Sequence, residues 1–232
     1  LADGLFEVLP SDSIVGQISE NRFGILFPAT APQDAQHHLT ALDDFGRQLI
    51  QGRIKGARLQ PYIASVAFPQ DGVFTFPEGE ANLRRALDMG CDCVGAIPHI
   101  EFTREDGVRS VELAFELAEQ YGRPVDIHCD ETGDDQSRFV EVMAKLAIAT
   151  GMGSAVTASH TTAMHNYNND YALKLMRIFR RAKMNFITAP FDNSVLQNRT
   201  DGYPRRRGHT RVDELDAAGV NVSIGHDSIM DP

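Results

Sequence analysis

Cysteine is scarce in this chain: only Cys91, Cys93 and Cys129 occur in 232 residues. A small, odd count builds no disulfide framework and points to a reducing compartment, the cytoplasm. Cys91 and Cys93 form a lone Cys-x-Cys with no second pair to complete a metal site, so they read as small buried side chains at a strand start. No run approaches the roughly 18 apolar residues of a helical membrane span, so a membrane is not an expected partner. An excess of positive charge is missing as well. The formal net charge is −10 and the pI about 5.2, a balance that repels phosphate backbones and argues against nucleic acid. The run Arg205-Arg206-Arg207 is local and reads as a solvated loop. An initiating methionine is also lacking. The chain starts at Leu1 and stops at Asp231-Pro232 without a terminating feature, which reads as a piece of a longer product.

What is present is an ordinary globular composition, 42% hydrophobic and 23% charged. From about residue 60, short apolar runs rich in β-branched residues alternate with helical patterns of 3.6 periodicity. The strands predicted are Tyr62–Phe68, Cys93–Pro98, Pro124–His128, Ala155–His160, Asn185–Ala189 and Val220–Gly225. Helices fall between them in "EANLRRALDMG", "SVELAFELAEQYG", "DDQSRFVEVMAKLAIATG", "YALKLMRIFRRAK" and "TRVDELDAAG". The third is expected to start on its acids, which suit a helix N-terminus, and several stop at glycine. Six βα units of about 30 residues each predict a parallel sheet with helices outside it. A (β/α)8 TIM barrel needs eight strands in about 250 residues, so a barrel here is expected to be incomplete. A doubly wound open sheet is the alternative. Polar residues favour the barrel, because Gln70, His99, His128, His160 and Asp227 all sit where strands end. Residues 1–55 break the rhythm. "SIVGQISENRFGILFPAT" reads as two β runs joined by a polar turn, and "PQDAQHHLTALDDFGRQLIQ" as an amphipathic helix. The expected organisation is therefore an α+β segment over 1–55 and a barrel over 56–232.

The stretch "PVDIHCDETGDD" concentrates ionisable chemistry at one strand tip. His128 ends one strand and His160 the next, which brings the two within side-chain reach, and Asp227 ends the last strand. Two imidazoles and a carboxylate are the ligand set of a catalytic divalent ion with an open position for water, Zn²⁺ or Fe²⁺. Such an ion lowers the pKa of that water. Glu131, three residues past a ligand, is placed to shuttle protons. A single strand-end histidine is more often a hydrogen-bonded core residue than a ligand. That blander reading is kept for His99, His165, His209 and His226.

Residues from about Pro61 to Pro232 resemble bacterial cytosine deaminase of the amidohydrolase superfamily. The likeness is carried by "VAFPQDG", "GAIPHIEFTREDGV", "VDIHCDETGDDQSRFVE", "GMGSAVTASHTTAMHNYN", "YPRRRGHTRV" and "GVNVSIGHDSIMDP". The resemblance implies hydrolytic deamination of cytosine or a related pyrimidine to uracil and ammonia by a metal-activated water. It also implies roles. His128 matches a metal ligand, and Glu131 the acid that moves a proton onto the ring nitrogen. His160 matches the histidine that positions the water, and Asp227 the aspartate that ligates metal and takes the water's proton. Gln70 looks like the side chain that hydrogen-bonds the pyrimidine, with Phe68 beside it.

The chain also departs from that family. No His-x-His occurs anywhere, whereas the family draws two metal ligands from such a pair at its first strand. The adjacent His37 and His38 lie in a helical pattern and cannot replace it. Ser228 stands where the family has a second aspartate beside the substrate's C5 edge, which points to a C5-substituted or otherwise related ring. "FITAPFDNSVLQNRTDG" differs from the family's pattern after its seventh strand. Residues 1–55 resemble, more weakly, the end of a GGDEF-type domain, with "SENRF" where its signature would stand. Four readings follow: a cytosine deaminase, a deaminase of a related cyclic amidine such as isocytosine or creatinine, a non-catalytic partial barrel, or a signalling fragment whose role lies in residues 1–55. The exposed strand edges of an open barrel would invite homo-oligomers.

Overall fold

The computed structural model describes residues 14–19, 22–26, 65–203, 208–225 and 227. The chain divides into two compact units, Leu1–Ser65 and Val66–Pro232. In the first unit, β1 (Ile14–Ser19) and β2 (Arg22–Leu26) pair antiparallel, with Ile14 opposite Leu26 and Ser19 opposite Arg22. The helix expected after them, and the remainder of the GGDEF-like stretch, lie outside the described residues.

The second unit is a six-stranded parallel sheet: β3 (Val66–Ala67), β4 (Cys93–Ala96), β5 (Val125–Cys129), β6 (Val156–His160), β7 (Asn185–Thr188) and β8 (Asn221–Ile224). Its strand order follows the chain without reversal. A doubly wound sheet reverses order at its switch point, so the topology is that of a barrel segment and not of the open alternative. Of the first predicted strand, residues 62–64 lie outside the described part. Among the described residues six α-helices accompany the strands: α1 (Gly79–Asp88), α2 (Arg104–Tyr121), α3 (Phe139–Thr150), α4 (Asn169–Ala182), α5 (Pro190–Leu196) and α6 (Val212–Ala217).

Alternation explains where the core lies. Along β5, Val125, Ile127 and Cys129 are buried among helix residues such as Phe115, Leu117 and Met143. Asp126 and His128 point to the opposite face. Large side chains such as Phe115, Phe179 and Phe186 are removed from water, each contributing about 1.5–3 kcal/mol. The three cysteines are buried free thiols; burial pushes Cys93 up to about 12 and Cys129 well above its ordinary value, so neither of these two is a ready nucleophile.

Helix ends follow sequence chemistry in most cases. Thr103 accepts from the Asp106 amide at 3.0 Å and Asn168 from the Tyr171 amide at 2.9 Å. Gly122 and Gly151 take left-handed conformations at the ends of α2 and α3. The start of α3 departs from expectation. It begins at Phe139, not at the acids Asp134 and Asp135, and Asp134 instead accepts from the Gln136 amide within the preceding loop. The cap comes from farther back. Asp130, fully buried, accepts from the amides of Phe139 and Val140, both at 2.9 Å, and from Ser137 Oγ at 2.7 Å. Tyr167 OH lies 3.3 Å from its second oxygen.

Asp130→Asn would turn an amide NH₂ toward donors on one side of that network. It is expected to cost about 2–3 kcal/mol in urea unfolding, whereas Asp135→Asn, exposed in the loop, should stay within about 0.5 kcal/mol of the parent.

Candidate active site

The loop after β5 and the turn after β6 are stitched together by backbone bonds. Thr161 N donates to Cys129 O at 2.9 Å and Ala163 N to Asp130 O at 3.0 Å. Gly133 permits a closer approach: a Cβ there would lie 1.8 Å from Asn198 Oδ1. Across the ladder His128 faces Ser159, and His160 faces Cys129. Strict alternation would send the side chains of Ser159 and His160 to opposite faces. Ser159 Oγ bonds Asp126 at 2.7 Å on the face that carries His128. His160 has φ +68°, outside the extended region. That left-handed residue breaks the alternation and returns the imidazole to the same face. Asp130, Thr161 and Asp227 share positive φ, so the unusual backbone gathers at the strand tips.

The result is a compact cluster. The His128 and His160 rings are 4.5 Å apart, and the Phe68 ring lies 4.5 Å from His128. Glu131 stands between the histidines, 3.8 Å from His128 Nδ1 and 3.3 Å from His160 Nδ1. Asp227 Oδ1 approaches His160 Nε2 at 3.5 Å. Burial, then the neighbouring His160, pushes His128 down to about 4. Burial raises Glu131 to about 7, against the pull of His160 and with the help of Asp227 and Asp192. For His160 burial acts downward, but the flanking carboxylates outweigh it and hold the imidazole above its ordinary value. Burial also raises Asp126, partly offset by its bond from Ser159.

Five of the seven expected site residues meet here: Phe68, His128, Glu131, His160 and Asp227. Gln70 does not join them. It is exposed on the loop after β3 and lines a cavity with Phe68, Phe76, Asn82 and Leu83. Ser228 lies outside the described residues, as does His226. His165, expected as a core residue, is instead exposed. The blander reading also fails for His99. That ring's Nδ1 is buried without a partner, and burial with the charges of His160 and His128 pushes it down to about 4. Two further residues went unforeseen because α5 was not predicted. Asp192 and Asn193 are both buried beside His160. The signal available was the polar "FDNS" directly after an apolar strand.

The donor chemistry fits a divalent ion. Ligand atoms of His128, Glu131 and His160 lie within 4.8 Å of one another, and so do those of His160, Asp192 and Asp227. Imidazole nitrogens and carboxylate oxygens suit Zn²⁺ or Fe²⁺. No described helix is long and apolar enough to cross a membrane.

A family model described as "Amidohydrolase family" matches residues 25–232, beginning inside the segment expected to be separate. The chain is 46% identical to a 5-methylcytosine deaminase of Klebsiella pneumoniae whose crystal structure contains phosphonocytosine. The TM-score is 0.71, over 87% of this chain and 47% of that one. An N-isopropylammelide isopropyl amidohydrolase of Pseudomonas sp. (strain ADP) is 29% identical over 73% of this chain and 38% of its own length. A pterin deaminase of Rhizobium rhizogenes is 31% identical over 48% of this chain and 26% of its own. The chain thus spans less than half the length of each of these relatives.

If the cluster holds the ion through His128, then His128→Ala should weaken Zn²⁺ binding at least about tenfold, read by competition with a chromophoric chelator. His165→Ala, on the exposed turn, should leave it unchanged.

Proposed function

Because this chain belongs to the amidohydrolase family, we propose that its cluster is the core of a deaminase site for cytosine or a C5-substituted cytosine. The observation that carries this reading is the convergence of His128, Glu131, His160 and Asp227 at three strand tips. The 46% identity to a 5-methylcytosine deaminase supports the substrate class.

In this reading His128 and Asp227 hold the ion, and His160 is either a third donor or the group that orients the water. The ion, Zn²⁺ or Fe²⁺, supplies positive charge and a water of lowered pKa. The chain's own residues handle the protons. Asp227 takes one from the water as it attacks C4. Glu131, poised at about 7, can hold a proton and release it to the ring nitrogen near neutral pH. Proton return to the amino group lets ammonia leave and the carbonyl form, so cytosine and water give uracil and ammonia. Phe68 walls the ring beside His128, and Gln70, which lines a cavity with Phe68, hydrogen-bonds the pyrimidine. Serine at 228 is shorter than aspartate and leaves room for a C5 methyl group. The second reading, a non-catalytic binding module, is favoured by the lack of a His-x-His in this sequence.

Ammonia release from cytosine and 5-methylcytosine, with Zn²⁺ and Fe²⁺ each supplied, tests the proposal. Turnover should favour 5-methylcytosine by about tenfold in kcat/KM, the scale of one methyl group in a fitted pocket. Ser228→Asp should reverse that preference. No ammonia and no bound metal would leave the binding module standing. A separate expectation concerns the proton carrier: Glu131→Gln should abolish turnover while metal content stays at the parent level. Deamination at the parent rate would remove Glu131 from its assigned role.

A further inference from the structure

Asn193 is fully buried on α5, and its amide sits among three of the cluster's polar atoms. Its Nδ2 lies 3.1 Å from His160 Nδ1, 3.3 Å from Glu131 Oε1 and 3.0 Å from Asp192 Oδ2. The orientation of an asparagine amide is assigned from its neighbours. Here the reverse orientation would set a carbonyl oxygen against two carboxylate oxygens, so the nitrogen belongs where it is. An amide nitrogen only donates. The amide has two hydrogens for these three neighbours; with one directed at His160 Nδ1, that nitrogen presents its lone pair and the ring proton sits on Nε2.

The same Nδ1 has a rival neighbour. Glu131 Oε1 lies 3.3 Å away and would draw the proton to Nδ1 if nothing opposed it. Asn193 opposes it directly, by pointing a hydrogen at Nδ1 and by engaging the carboxylate oxygen. With the proton on Nε2, the imidazole presents an N–H on the side of Asp227, whose Oδ1 is 3.5 Å away.

We infer that Asn193 is a positioning residue that fixes His160 as the Nε2–H tautomer, making His160 a hydrogen-bond donor at the reacting face and not a metal ligand. This rests on the deaminase reading for its catalytic meaning, but the tautomer is a property of the chain that needs no turnover to observe. Neither imidazole nitrogen is then free for a metal: one accepts from Asn193 and the other carries the proton. The ion is left to the remaining donors, and His160 is left to orient the water.

The test is a long-range ¹H–¹⁵N spectrum of the imidazoles in the full ¹⁵N-labelled chain with Zn²⁺ supplied, His160 being assigned by its loss in His160→Gln. The expected spectrum has Nδ1 unprotonated and Nε2 protonated. Asn193→Leu, which keeps volume and removes the donor, should move the proton toward Nδ1. In the same variant kcat should fall about 10- to 100-fold, the range for lost outer-shell partners, with KM within about threefold. A parent spectrum with the proton on Nδ1, or with Nε2 unprotonated as in a metal ligand, overturns the inference, and that spectrum decides the matter even if Asn193→Leu does not fold. An unchanged tautomer in a folded Asn193→Leu also overturns it. The expected spectra with no ammonia release from the parent chain would sink the deaminase reading and leave the Asn193 assignment in place.

Discussion

The buried carboxylate of Asp130 is the constraint on which the site depends. It sits between His128 and Glu131 in sequence, at the tip of the strand that carries both. Its oxygens receive the first amides of α3 and the Ser137 hydroxyl, while its carbonyl receives Ala163 N and Thr162 Oγ1 from beyond β6. One residue therefore ties the end of β5 to the start of α3 and to the turn after β6. Buried acceptors left unmatched cost about 1–3 kcal/mol each, so the network has few tolerable alternatives. That rigidity holds two histidines from neighbouring strands at ring contact, where imidazoles in water would keep apart.

The backbone around this anchor gives up regularity to serve the site. Asp130, His160, Thr161 and Asp227 all occupy the left-handed region, at a cost of order 1–3 kcal/mol for each non-glycine residue. For His160 the gain is clear: the reversal turns its side chain onto the face that Asp126 and His128 already occupy. Further bonds hold the turn that follows. Thr210 Oγ1 donates to His160 O, and Arg211 donates to the carbonyls of Met164 and Tyr167 at 2.7 and 2.6 Å. The segment leading into α6 thereby braces a strand tip some 50 residues earlier in the chain.

Much of this was legible in the sequence, and the failures have physical causes. All six strands, their parallel pairing and the gathering of His128, Glu131, His160 and Asp227 follow from apolar runs that end in polar residues. The start of α3 was misplaced because acids early in a helical pattern suit a helix N-terminus, whereas here the N-terminal amides bind a carboxylate nine residues back. α5 was missed because seven residues carry too little periodicity to register, and with it went Asp192 and Asn193. His99 was set aside because a lone strand-end histidine is most often a core residue. Only its place beside two other imidazoles distinguishes it. Gln70, matched by motif to the substrate, stands exposed on its loop, because motif position fixes the strand end and not the loop's conformation.

The electrostatics of the cluster point the same way as its donor set. Asp126, Glu131, Asp192 and Asp227 crowd His160 from several sides, and burial raises Asp126 and Glu131 above their ordinary values. Like charges this close resist simultaneous ionisation. Meanwhile His128 and His99 are both pushed down to about 4, so they stand neutral and offer lone pairs. A region that disfavours its own anionic state while keeping nearby imidazoles unprotonated is short of positive charge and rich in donors. A divalent ion meets both conditions at once. An ion bound there would offset this crowding of charge, and the stability of the strand tips would then depend on it.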